Sequence, residues 1–521
     1  MAPLAQLPQF AMMKPLAAPK DWSYILKQGG LLPHELERSW QGKAFAEAAN
    51  LAQASPVEIR SEQDERMLQI WLLAVARAVL MLSRICIGPI LVPMASEYSY
   101  SVEQKGLILS AFAAGYALTQ VIGGLVADRI GGAPILLLGL LGSGLCLAAL
   151  PSAAEAGVPV ICWLLWSMGF VAGPTYPAIQ ALIAKWSSVD LRSYASSLNG
   201  AGSSAGSLLA LGLTPTLSAR LGWRCTSAAF GLVLVAFSLT WLLLGRSTPL
   251  TAPSFAAAGG RGGFFLPQPA TGRRFAAGAL LLGSGDWLSP GRWVSTVEYW
   301  ARLLLSPGVL VIFVAHSVHN FVRYFLFAWM PFYYDEVLHV SADGRGALMI
   351  TPELFATVLG FLVAKETRRL QQTGALTTLG VRRTFASLSF AGQGLALLAM
   401  SALSTPLAVT CCLTTIQIFS TMQGPGFHAN YLDITTHNSG LVTGIGDSFA
   451  TFSAGCAPLL ASWILGAKGG VAAVDAWSSL FVAFASTNLI GLFLYVPFLS
   501  ISPVDERRGS ILGEKGADDD C

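Results

Sequence analysis

From about Leu68 to Ser500 the chain alternates long apolar stretches with short polar breaks. Each stretch approaches or exceeds the roughly 20 residues that a helix needs to cross the hydrocarbon core of a bilayer. The pattern predicts helices near Met67–Met94, Gly106–Val126, Ala133–Leu150, Val158–Ala184, Tyr194–Leu217 and Cys225–Leu244. A second set is predicted near Pro307–Tyr333, Gly346–Ala364, Thr384–Leu403, Leu407–Phe427, Gly440–Leu465 and Trp477–Ser500. Between the sets runs a polar segment containing glycine and proline. The division expected is a tail over 1–66, a helical bundle over 67–245, a connector over 246–306, a second bundle over 307–500 and a tail over 501–521.

Composition agrees with this pattern. Of the 521 residues 54% are hydrophobic and 12% charged, against about 25% charged in soluble proteins. An all-α, multi-pass membrane protein is the class expected, with the lipid bilayer as its solvent. A net charge of +3 gives no reason to expect a nucleic-acid partner. The eight cysteines form no CxxC pair and sit mostly inside apolar runs, so they read as packing residues. The first sixty-odd residues hold no short apolar run of the signal-peptide kind. The opening MAPLAQLPQFAMMKPLAAPK lacks acids, a trait of transit peptides, but Asp21, Glu35 and Glu37 follow and serine is scarce, so a cytoplasmic tail is expected.

Arg129, Lys185, Arg192, the connector arginines, Lys365, Arg368, Arg369, Arg382 and Arg383 all fall on one side of the predicted helices. The other side carries fewer basic residues. The positive-inside rule then puts both termini and the connector in the cytoplasm. The membrane itself, whether plasma membrane, plastid or vesicle, is left open.

After the second predicted helix comes GGLVADRIGGAP, Gly123 to Pro134. Gly131 can take the positive φ that a tight turn needs, while Asp128 can accept hydrogen bonds from the N-terminus of a neighbouring helix and Arg129 can reach carboxylates or lipid head groups, which makes the pair candidates for gating. This stretch resembles the major facilitator signature G-x-x-x-D-[RK]-x-G-[RK]-[RK], departing from it at Gly132 and Ala133. GLILSAFAAGYALTQVIGGLVADRIGG, VAGPTYPAIQALIAKW, HNFVRYFLFAWMPFYYDEVL and GFHANYLDITTHNSGLVTGIGDSFAT are similar to one anion-transporting branch of that superfamily. The branch holds sialin, the vesicular glutamate transporters, sodium–phosphate cotransporters and plant plastid phosphate transporters. The resemblance implies twelve transmembrane helices in two pseudo-symmetric bundles and movement of phosphate or organic anions. It implies no cofactor, with a proton or sodium ion as the candidate co-transported species. A monomer with a small anionic substrate is expected, and no enzyme activity.

Arg84 lies in mid-membrane in LLAVARAVLMLSRICIGPILVPMA, where an arginine costs about 2.5–3.5 kcal/mol on insertion scales. It matches the first-helix arginine with which the family holds substrate. Arg77, two turns earlier, can either snorkel to the interface or share that role. In AHSVHNFVRYF, His316, His319, Asn320 and Arg323 fall on one helical face, and such a stripe must line a cavity or pair with neighbouring helices. Arg84, His319, Asn320, Arg323, Tyr116 and Tyr176 are therefore the expected substrate contacts, although buried tyrosines also satisfy backbone groups.

Many family members carry an arginine and a glutamate in the fourth helix, where Leu165 and Ala172 stand here. Glu353 and Asp447, both in apolar surroundings, are left as proton carriers or static counter-ions in equal measure. Gly202 and Gly206 read as a helix–helix contact, and His428 with Asp433 as a gate or loop anchor. The function expected is alternating-access anion transport, phosphate ahead of glutamate, sialate or dicarboxylate. A membrane acyltransferase built on an intramembrane histidine and a non-transporting anion sensor are the weaker alternatives.

Overall fold

The computed structural model describes residues 56–187, 189–247, 300–435 and 439–504. The chain divides into the units Met1–Glu65 and Arg66–Cys521, and the helical architecture is that of the second unit. The expected tails over 1–66 and 501–521 and the expected connector fall almost wholly outside the described residues.

The structure is helical throughout the described residues. The first half holds α1 (Pro56–Ile85), α2 (Ile87–Glu97), α3 (Val102–Ile130), α4 (Gly132–Ala156), α5 (Val158–Ala172), α6 (Thr175–Trp186), α7 (Val189–Leu221) and α8 (Trp223–Leu244). The second holds α9 (Pro307–Phe332), α10 (Ala342–Gln372), α11 (Thr378–Met400), α12 (Pro406–Thr421), α13 (Ala429–Asp433), α14 (Ser439–Ala467) and α15 (Val474–Phe498). Eight of the described helices are long and apolar enough to cross a membrane. Trp163, Leu243 and Phe493 are each at least two-thirds exposed, as side chains facing lipid would be.

Each predicted helix coincides with an observed segment, but three predicted rods are broken. Pro89 has no N–H for the carbonyl of Ile85, and the first rod divides there into α1 and α2. In the fourth, Gly173-Pro174 separates α5 from α6; the Phe170 carbonyl that Pro174 cannot bond accepts the Thr119 hydroxyl at 2.8 Å. In the tenth, Gly424-Pro425 begins a wide turn over Gly424–His428 between α12 and α13. There the Pro425 carbonyl accepts from Arg382 Nη1 at 2.9 Å. The same dipeptide thus interrupts the equivalent helix of each half.

Packing follows a two-fold pattern. Within the halves α4 lies on α8 as α11 lies on α15, and α3 on α5 as α10 on α12. Between the halves α3 packs on α14 and α7 on α10, which are the same crossing seen from either half. One buried cluster, including Ile90, Phe112, Phe325 and Phe484, spans both halves, and a smaller one lies in each.

Contacts between the halves concentrate at the end where Glu97 lies. Lys105 Nζ of α3 reaches Glu336 Oε1, just beyond α9, at 2.8 Å. Arg220 of α7 meets Asp343 of α10 at 3.5 Å. Gly212 and Gly346 bring α7 and α10 into backbone contact. These contacts hold the two halves together at that end.

Gly202 and Gly206 do what their spacing suggests. A Cβ on either would strike the carbonyl of Ala74 or Ala78 on α1, and a helical carbonyl cannot move aside. Gly206→Val should therefore destabilise the protein by about 1–3 kcal/mol through overpacking. Gly200, which has nothing within 4 Å of a would-be Cβ, should accept alanine with a gain of up to about 1 kcal/mol. Thermal unfolding of both variants in detergent measures the contrast.

Candidate functional site

The charge of Arg84 sits among rings. Its Cζ lies 4.1 Å from the Tyr324 ring centroid and 5.0 Å from those of Phe112 and Tyr116. Tyr324 belongs to α9 and the other two rings to α3, so the cage joins the two halves. Among the described residues no carboxylate lies within ion-pairing distance of Arg84. Three cation–π contacts at about 1 kcal/mol each are of the same order as its insertion cost. Aromatic rings, unlike a carboxylate, do not occupy the N–H donors of a guanidinium, the donors that carboxylate and phosphate oxygens bind.

Beside this cage is a cavity of about 50 Å³, lined by Arg84, Phe112, Tyr324, Phe327, Ala454 and Pro458 among others. That is several water-probe volumes. Helices α1, α2, α3, α9 and α14 contribute to its wall, so both halves line it.

The other expected contacts divide into groups. Tyr116 belongs to the Arg84 cage. Tyr176, the second residue of α6 after the Gly173-Pro174 break, carries Arg77 over its ring at 4.8 Å. Arg77 is thereby aimed into the protein and at the broken helix. Arg323 lies 5.2 Å from the Phe327 ring; Asn320 beside it is half-buried. Neither borders the cavity that Arg84 lines.

His316 and His319, both 5% exposed, turn toward the second broken helix. Their rings lie 5.0 Å and 6.1 Å from that of His428, which closes the Gly424-Pro425 turn. His319 Nδ1 has no hydrogen-bond partner. His428 is exposed despite these rings and that of Phe427 around it, so open space borders it. The stripe read as one substrate face is therefore split: His316 and His319 face α13 and the turn before it, while Tyr324 and Phe327 of the same helix face Arg84.

The two halves handle their broken helices alike. In the first, a basic residue of the first helix lies over the aromatic ring that follows Gly-Pro, Arg77 on Tyr176. In the second, a histidine of the first helix lies against the ring that follows Gly-Pro, His316 on His428. Gly/Pro-interrupted helices at corresponding positions are a pointer to transporter binding sites. The two Gly-Pro dipeptides were the sequence signal for this pairing. Tyr324, the nearest of the three rings to Arg84, had only its place next to Arg323 to recommend it.

The two candidate acids differ in setting. Glu353 is 3% exposed, accepts from the Gln417 amide and feels the field of Arg323, all within the second half. Asp447 is 3.7 Å from His316 Nε2 and its side chain is 21% exposed; it feels both Arg77 and Arg84 across the interface. Asp433 is an anchor, held by Arg382 at 2.7 Å, the same arginine that holds the Pro425 carbonyl. Asp128 and Arg129 stand just before the end of α3, and Gly131 has the expected positive φ of 90°, but the side chains of the pair lie outside the described residues.

The model of the Major Facilitator Superfamily matches residues 73–379, more than half of the chain, and the chain belongs to that family of membrane transporters. It is 27% identical over 421 residues to the probable anion transporter 4, chloroplastic, of Oryza sativa subsp. japonica. That alignment takes in 80% of this chain and 66% of the relative, just under two thirds of its length. It is also 27% identical to the chloroplastic ascorbate transporter of Arabidopsis thaliana, over 80% of this chain and 71% of that one. Human sialin is 27% identical over 77% of this chain and 76% of its own. A bacterial homolog of the human lysosomal transporter Spinster, in an inward-facing and occupied conformation, superposes with a TM-score of 0.60 at 14% identity. The match covers 83% of this chain and 96% of that one. The likeness confirms the fold.

The exposure of His428 has a direct test. With the native cysteines replaced by serine, His428→Cys should react rapidly with a membrane-impermeant thiol reagent applied from the Ile130 side. A cysteine kept at the wholly buried position of Cys86 should react slowly from either side. The rates are read by mass shift in oriented vesicles.

Proposed function

We propose that this chain is an alternating-access carrier of small anions, with Arg84 as the principal anion-binding residue. The supporting observation is a mid-membrane guanidinium between two helical halves, beside a cavity, with rings instead of a carboxylate as its partners. The relatives that bear the names anion transporter, ascorbate transporter and sialin agree with it. On this reading the chain crosses the membrane twelve times with both termini in the cytoplasm. The Glu97 end is then the extracytoplasmic or lumenal mouth, closed by Lys105–Glu336 and Arg220–Asp343, and the chain acts as a monomer.

Within the class, an organic anion suits the cavity better than phosphate. One guanidinium stands there among Phe112, Tyr324, Phe327, Ile108 and Leu109, a lining that rewards an apolar body behind the charged group. Phosphate, which the sequence placed first, would need several donors at once. Arg323, Asn320 and His428 could supply them only on a path away from this cavity, and that path is the observation that keeps phosphate as the second reading.

Uptake of ascorbate, glutamate, sialate, a dicarboxylate and phosphate into proteoliposomes decides between the two. Arg84→Ala should reduce saturable uptake of the transported anion by roughly 10- to 150-fold, the equivalent of one lost charge-assisted hydrogen bond of about 1.5–3 kcal/mol. The variant should keep the wild-type elution profile in detergent. Undiminished uptake would remove Arg84 from the site.

A further inference from the structure

The exposed face of α10 runs from apolar to basic along a single stripe. Leu354, Phe355, Val358 and Leu362 are each about half exposed, and their spacing puts them on one side of the helix. Large apolar side chains exposed together in this way face lipid. Past Leu362 the stripe continues as Lys365 and Arg369, with Arg368 on its flank, all exposed. From Leu354 to Lys365 is about 16 Å of helix, close to the depth of one hydrocarbon leaflet, about 15 Å. At 31 residues α10 is about 46 Å long, so its last turns stand beyond the hydrocarbon, at headgroup level. Across the turn 373–377, Arg383 of α11 is exposed as well. Arg368 and Arg383 each lie about 6–8 Å of helix from that turn, so the two helices present cations at one height. Between residues 354 and 400 there are five basic residues and a single acid, Glu366, which is taken by Arg369 at 3.3 Å. Among the described residues Lys365, Arg368 and Arg383 have no carboxylate within ion-pair distance. The fifth base, Arg382, points inward to Asp433 and the Pro425 carbonyl.

Basic residues that only fix orientation need water around them and nothing more. These residues differ, because they follow directly on an apolar strip one leaflet deep and stand on two helices at the same height. We propose that the ends of α10 and α11 hold an anionic phospholipid, its phosphate between Lys365, Arg368 and Arg383 and its acyl chains along Phe355, Val358 and Leu362. Guanidinium forks bind phosphate oxygens in pairs, and the ammonium adds a point charge. A zwitterionic lipid brings the same phosphate together with its own cation, which the cluster repels, so selection falls on net charge. A headgroup shared by the two helices also ties α10 to the start of α11. There it sits one residue from Arg382, the arginine that braces the Gly424-Pro425 break. The site lies on the lipid face, apart from Arg84, and its occupancy does not depend on which anion is carried.

The test uses the full chain, purified free of lipid in neutral detergent, with phosphatidylglycerol, phosphatidylcholine and sn-glycerol 3-phosphate as probes. Native mass spectrometry should show phosphatidylglycerol retained in preference to phosphatidylcholine, and added phosphatidylglycerol should raise the thermal unfolding midpoint. Glycerol 3-phosphate, which has the anionic phosphate and no chains, should leave the midpoint unchanged. A basic residue near an anionic lipid surface contributes about fivefold in affinity, so Lys365→Gln and Arg383→Gln should each weaken retention by about that factor. The combined variant Lys365→Gln, Arg368→Gln, Arg369→Gln and Arg383→Gln should lose the preference altogether. The charge-keeping variant Lys365→Arg, Arg368→Lys, Arg369→Lys and Arg383→Lys should keep it, which separates loss of the site from loss of the fold. Lys468→Gln, at the Glu97 end, should change nothing. Equal retention of phosphatidylcholine, an equal midpoint shift with glycerol 3-phosphate, or the same outcome in both combined variants overturns the inference. No step of the test involves a transported anion, so the reading of Arg84 is untouched by its failure.

Discussion

A guanidinium in the middle of a membrane has to be stabilised without being neutralised, and the rest of this molecule can be understood from that constraint. A carboxylate paired to Arg84 would offset its charge but would also occupy the donors that an anion needs. The rings of Phe112, Tyr116 and Tyr324 lower the charge's energy without taking up its hydrogen-bond donors as a carboxylate would. Because two of the rings come from one half and one from the other, the cage exists only while the halves are together at that level. On the proposed reading, stabilisation of the charge and closure around the anion are one event.

The two halves are built on one plan, and the differences between them are informative. Both have a helix broken at Gly-Pro, and in both a side chain of the first helix rests on the ring after the break. The first half fills these places with Arg77 and Tyr176, a permanent cation on a neutral ring. The second uses His316 and His428, whose charge can change. At these matched places the first half carries a permanent charge and the second an imidazole pair. The breaks themselves are supported by side chains, Thr119 on the Phe170 carbonyl and Arg382 on the Pro425 carbonyl, so the interruption leaves few orphan backbone groups in the membrane interior.

Much of this could be read from the sequence, because membrane crossing imposes length and apolarity that nothing else does. The predicted Pro307–Tyr333 helix against the observed Pro307–Phe332 shows how far hydropathy alone reaches. Arg84 stood out for the same reason, as a charge where charge is expensive. Periodicity placed His316, His319, Asn320 and Arg323 on one face, but it does not say what lies opposite that face. The turn before α13 captures the two histidines, and the Arg84 cavity is met one turn further on, by Tyr324 and Phe327. The pairing of His316 with Asp447 joins positions far apart in the chain and had no local signal. The Gly-Pro repeat did have one, hidden because each copy reads as an ordinary helix interruption until the halves are set side by side.

The Lys105–Glu336 contact gives the molecule a preferred posture. The lysine side chain is 10% exposed and the glutamate 30%, and the ammonium also sits 4.9 Å from the Phe332 ring. Ions in the medium screen such a pair less than one fully in water. Opening of the Glu97 end would require both charges to separate and regain their hydration. On the proposed alternating-access reading, an empty carrier would rest with that mouth closed, so the side of the membrane on which it waits would be chosen before any anion arrives.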